Sequence, residues 1–129
     1  MWLKAYLIAL FIFLGLDALW LGLIAKNMYQ QQIGHLMAAK VNFPAAGAFY
    51  LFFVAGLVVF AIHPAVSAGD WTRALLLGGF LGFLCYATYD LTNLATLKDW
   101  PLSVTLIDLV WGTSIGAVTA AITAFFLLK

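Results

Sequence analysis

The sequence predicts an all-α integral membrane protein, a four-helix bundle with both termini on the same side. Three observations carry this. Of the 129 residues, 66% are hydrophobic and only 9% charged, and the mean hydropathy of +1.08 lies far outside the range of soluble domains. Four apolar runs reach the roughly 20 residues needed to cross about 30 Å of hydrocarbon. Each is bounded by Pro, Gly, Lys or Trp, the punctuation of turns and membrane interfaces.

Taken in order, the runs cover about residues 3–25, 43–62, 73–95 and 103–128 of one transmembrane domain, 1–129. The first is too long for the apolar core of a signal peptide, and "IAKNMYQQQ" offers no small-residue cleavage site, so it is read as a helix. In the connection that follows, Tyr29, Ile33, Leu36, Met37 and Lys40 recur at helical spacing against Gln30, Gln31, Gln32 and His35. Residues 27–40 therefore read either as a short helix lying in the interface or as a plain polar loop. "HPAVSAGDW" and "LKDWP" make the other two connections, with Asp70–Trp71 and Asp99–Trp100–Pro101 each pairing a turn-forming acid with an interfacial aromatic anchor. Four spans put the termini and the Asp70 loop on one side, face A, and the first and third connections on face B. Lys4, Arg73 and Lys129 then balance Lys26, Lys40 and Lys98, so the positive-inside rule sets no orientation.

Charge and cysteine content exclude several classes. A net charge of +1 with unclustered basic residues argues against a nucleic-acid partner. The single Cys85 excludes an intrachain disulfide and argues against zinc. There is no Gly-rich phosphate loop, Ser/His/Asp set or HExxH motif, and no cofactor is expected.

The informative residues are acids where lipid is expected. At 1.5 Å rise per residue, counting inward from face B, Asp17, Asp90 and Asp108 all fall about 8–12 Å deep. Tyr50, Trp20, Trp111, Tyr86, Tyr89 and Asn93 share that layer. Phase agrees with depth: Gly79, Gly82, Tyr86, Asp90 and Asn93 form one stripe of the third helix, Phe13, Asp17, Trp20 and Ile24 one stripe of the first, and Thr105, Asp108, Trp111, Gly112 and Ile115 one stripe of the fourth. "LDALW" and "IDLVW" repeat Asp-x-x-Trp on antiparallel helices, which predicts that Trp111 donates to Asp17 and Trp20 to Asp108. Gly78 with Gly82 and Gly112 with Gly116 make small-x-x-x-small spacings suited to close helix packing.

A carboxylate at this depth costs about 2.5–3.5 kcal/mol on insertion scales. No Lys or Arg lies inside a span, so three carboxyls in one poorly solvated layer cannot all ionise cheaply. Protons, water from face B, snorkelling Lys26, Lys40 or Lys98, or a cationic ligand must compensate. Asp17, Asp90 and Asp108 are the candidates for acid–base chemistry. Together with Trp20, Tyr50, Tyr86, Tyr89, Asn93 and Trp111 they are the candidate ligand-binding set. Three readings follow: a pocket that binds or transports a small cationic or amphipathic molecule, an enzyme working on a lipid or isoprenoid with one Asp as general acid and another as base, or a structural layer of interhelical bonds worth about 0.6 kcal/mol each. Transport by four helices would call for a homo-oligomer. A hard-cation site of the three acids with His35 is chemically allowed, but no ligand spacing supports a metal; His35 reads as an interfacial residue and His63 as a cap or headgroup contact.

"LGLDALWLGLIAKNMY", "FYLFFVAGLVVFAIHPA" and above all "YATYDLTNLATLKDWPLSVTLIDLVWG" resemble a bacterial family of small four-helix membrane proteins, domain of unknown function 2177. The resemblance spans essentially the whole chain. It implies a multi-pass protein of the bacterial cytoplasmic membrane, with lipid as its immediate partner, and it transfers no functional residues.

Overall fold

A computed structural model describes residues 1–129 and is all-helical. Four long apolar helices, α1 (Trp2–Ile24), α3 (Phe43–Ala68), α4 (Trp71–Thr96) and α5 (Leu102–Leu128), carry the length and composition to cross a membrane. A short helix, α2 (Lys26–Ile33), lies between the first two and runs into a 3₁₀ turn at Gly34–Leu36. The 27–40 segment is thus α-helical through Ile33 and 3₁₀ through Leu36; beyond Leu36 the chain leaves the helix until Asn42 caps α3, its side chain accepting from the Ala45 N–H at 3.1 Å.

The second apolar run is six residues longer than hydropathy predicts. Pro64 would normally end a helix, because it lacks an N–H and its ring meets the carbonyl one turn back. Here a π-helical turn, Val58–Ile62, widens the helix just ahead of it, and the His63 N–H bonds to the Val58 carbonyl. The helix passes through Pro64 and stops at Ala68, where Gly69 adopts φ +69. The Asp70 N–H closes that end on the Ala65 carbonyl at 3.0 Å, a left-handed cap that glycine accepts without strain. Asp70 then caps α4, accepting from the Thr72 N–H at 3.0 Å and the Thr72 hydroxyl at 2.5 Å. Those bonds, with Arg73 adding attraction, hold its carboxyl below the usual carboxylate range.

Successive long helices alternate in direction. Trp2 stacks on His63 (centroids 4.2 Å apart) and Trp71 packs edge-on against Phe125, so both chain termini sit at one end of the bundle. Large apolar side chains point outward, Phe11 81% and Leu23 77% exposed, the inverse of a soluble bundle and the surface that lipid covers. Inside, α1 presents Ala5, Ala9, Phe13 and Asp17 at every fourth position. α4 and α5 approach most closely. A Cβ at Gly78 would lie 2.5 Å from the Gly116 carbonyl oxygen, and one at Gly82 would overlap that of Gly112. Backbone thus packs on backbone, as small-residue spacings permit. Trp100 is only 8% exposed, its indole donating to Thr105 at 3.0 Å. It is a buried plug, not the interfacial anchor its loop position predicts.

Candidate functional site

Toward the opposite end from the termini the bundle opens into a cavity of about 430 Å³. Of the residues expected in the polar layer, Asp17, Trp20, Tyr50, Tyr86, Tyr89, Asp108 and Trp111 line it. The glycine seam makes room for part of this wall: a Cβ on Gly112 would fall within 2.6 Å of the Tyr86 Cβ and collide with its ring, so the phenol lies across the glycine.

Each exposed-to-cavity carboxyl is met by neutral donors. Asp17 accepts from the Tyr50 hydroxyl at 2.6 Å and, more loosely, from the Trp111 indole at 3.4 Å. Asp108 accepts from the Tyr29 hydroxyl, which itself accepts from the Trp20 indole at 3.0 Å. The Trp111–Asp17 pairing is the one the repeated Asp-x-x-Trp predicts. The Trp20–Asp108 pairing is corrected: a phenol from α2 is inserted between them. The two indoles stack instead on each other, centroids 4.5 Å apart and planes within 6°. α1 turns through a π-helical segment, Trp20–Ile24, at this point, a widened turn of the kind that recurs at functional sites.

Asp90 and Asn93 do not line the cavity. Cys85, Tyr86 and Tyr89 occupy an arc of α4 that faces the space; at 100° per residue Asp90 lies about 40° beyond Tyr86, on the edge toward α5. Asn93 keeps the phase but sits about 10 Å farther along the axis. Asp90 is fully buried, and no N–H or O–H donates to either of its carboxyl oxygens. Behind it, Thr105 bonds to the Asp90 carbonyl at 3.5 Å and is held by Trp100, sealing this acid from face B.

Tyr29 is the residue that sequence reasoning missed. Its place on the apolar side of α2 reads as a membrane contact, but α2 folds back over the cavity mouth, and the Ser103 hydroxyl at the start of α5 donates to the Gln32 side-chain oxygen. The signal was a lone phenol among glutamines. Burial, the bond to Asp108 and nearby acids raise the Tyr29 phenol above its ordinary value, against a smaller opposing effect of Trp20. It remains a neutral donor at any working pH. Phe49, Ala46, Leu21 and Cys85 complete the wall; none carries a sequence signal beyond apolarity. His35 and His63 are not part of it.

A second hollow of about 320 Å³ lies against the same stacked indoles and is lined otherwise by Leu106, Ile107, Val110 and Ser114 of α5. The Trp20–Trp111 pair is therefore shared between an acidic cavity and an apolar groove.

Four apolar helices around an intramembrane layer of acids and aromatics define a small multi-pass membrane protein. Residues 2–125 match the family model described as "Predicted membrane protein (DUF2177)", and the chain belongs to that family. No curated protein and no solved structure matches it.

Proposed function

We propose that the protein binds a small amphipathic cation within the bacterial cytoplasmic membrane. One observation carries this reading: in the cavity the charged side chains are both carboxyls, Asp17 and Asp108, while Trp20, Tyr29, Phe49, Tyr50, Tyr86, Tyr89 and Trp111 supply aromatic walls. Acids attract a cationic head and ring faces bind it by cation–π contact, worth about 2 kcal/mol or more when desolvated. The volume suits a small molecule, since ligand pockets run about 300–1,000 Å³. The apolar groove on the far side of the Trp20–Trp111 pair gives an alkyl tail a course along α5 toward lipid. Bilayer lipid is the medium from which such a ligand arrives.

Purified protein in lipid nanodiscs, titrated with a single-chain alkyltrimethylammonium and followed by tryptophan fluorescence, tests this. Saturable quenching is expected with the cation and not with an alkyl sulfate of equal chain length. Asp108→Asn weakens the response at least tenfold, while Leu23→Ala on the lipid face leaves it unchanged. Equal responses to cation and sulfate, or an unaffected Asp108→Asn variant, would overturn the reading.

A further inference from the structure

Two hollows share one wall. The stacked indoles of Trp20 and Trp111, from α1 and α5, border both the acidic cavity and the apolar groove. Their polar edges are committed to the cavity: the Trp20 N–H donates to Tyr29 at 3.0 Å and the Trp111 N–H to Asp17 at 3.4 Å. The groove offers the opposite chemistry. Leu106, Ile107 and Val110 are hydrocarbon, and the Ser114 hydroxyl is turned back on its own helix, donating to the Val110 carbonyl at 2.7 Å. No side chain of the groove has a free donor for a ligand. At 100° and 1.5 Å per residue, the α5 residues of the groove occupy one arc of about 140° and run about 12 Å along the helix axis. That is the direction of the surrounding lipid chains.

We propose that this groove is the chain subsite of the cation-binding cavity, that its occupant is one unbranched alkyl chain, and that the Trp20–Trp111 stack limits the ligand to one chain. The proposal rests on the cation-binding reading and names its ligand class, a single-chain cationic amphiphile. Continuity and charge fix the occupant. A head drawn to the Asp17 and Asp108 carboxyls lies against the stack, and the groove begins at the same two rings. A chain that skirts the indoles therefore stays on protein from head to tail. Hydrophobicity alone does not draw it there, because lipid tails are as apolar as leucine. Selection falls to shape. Flat rings 4.5 Å apart and within 6° of parallel, each tied by its N–H to the cavity, present a fixed edge that one chain can pass. A second chain branching from the same head has to part the rings and break the bonds to Tyr29 and Asp17.

Tryptophan fluorescence of the protein in lipid nanodiscs, titrated with dodecyltrimethylammonium and with its two-chain counterpart didodecyldimethylammonium, tests this. The single-chain cation should bind at least tenfold more tightly. Val110→Phe/Ser114→Phe changes two exposed positions outside the cavity wall and fills the groove. It should weaken dodecyltrimethylammonium at least tenfold, whereas Leu76→Phe on the lipid face of α4 leaves binding unchanged. Equal or tighter binding of the two-chain cation overturns the chain subsite and leaves cation binding standing. An unaffected groove variant does the same, and is the result if the groove only receives a bilayer acyl chain. No saturable binding of either cation overturns both readings. The comparison of the two cations on the wild-type protein requires no variant to fold.

Discussion

Tyr29 is the side chain whose chemistry is most easily isolated. Its hydroxyl both accepts from Trp20 and donates to Asp108, so Tyr29→Phe deletes two interhelical bonds at once. At roughly 0.6 kcal/mol for a bond of this kind in a membrane bundle, the expected loss is about 1 kcal/mol, against about half of that for Tyr50→Phe, which removes one bond to Asp17. Reversible unfolding in mixed micelles measures both. Equal losses would mean that the Trp20–Tyr29–Asp108 chain does not act as a unit. Asp70, at the other end of the molecule, gives a pH prediction. Its folded-state pKa is depressed by the Thr72 bonds, so its stabilisation is present above the unfolded value of about 3.9 and fades as pH falls through the lower folded value. Asp70→Asn can still cap α4 but has no proton to gain, so its stability should fall less than the wild type's between about pH 4 and pH 2.

At the scale of elements, the seam between α4 and α5 should be the least tolerant part of the bundle. A methyl at Gly82 runs into the Gly112 carbonyl, which is backbone and cannot swing aside. Gly82→Ala is expected to cost about 1–3 kcal/mol as an overpacked interface, whereas Gly22→Ala, with nothing within 4 Å of the new Cβ, should be neutral or stabilising because alanine favours helix. If the two variants unfold together, α4 and α5 are not in contact here. α2 makes a second prediction. Gln32 and Ser103 touch, so a Gln32→Cys/Ser103→Cys pair in a Cys85→Ala background should form a disulfide under mild oxidation, pinning Tyr29 over the cavity. The tethered protein should exchange the alkyl cation more slowly than its reduced form.

For the whole molecule, reporter fusions at residue 1 and residue 129 should report the same compartment, as expected from four antiparallel crossings. The helix count and the shared depth of Asp17, Tyr50, Tyr86, Tyr89, Asp108 and Trp111 were legible in the sequence because both follow from apolar run length and a fixed rise per residue. What was not legible depends on rotation and on backbone irregularity. Asp90 shares the stripe of Tyr86 to within 40°, yet that angle decides between lining the cavity and being buried without a donor. Trp20 lost its expected partner because α2 folds back, and α2 is held by contacts distant in sequence. The course of α3 past Pro64 required a π turn that residue patterns do not announce.

Those π turns divide the molecule mechanically. Both lie in α1 and α3, at Trp20–Ile24 and Val58–Ile62, while α4 and α5 run unbroken and are locked backbone to backbone at their glycines. One half of the bundle is a stiff beam and the other carries two compliant joints, with the cavity walled by both. Tension or thinning of the bilayer should therefore deform α1 and α3 before α4 and α5. Amide exchange should be fastest, among residues at membrane depth, at 20–25 and 58–63, and slowest along 78–90 and 108–120.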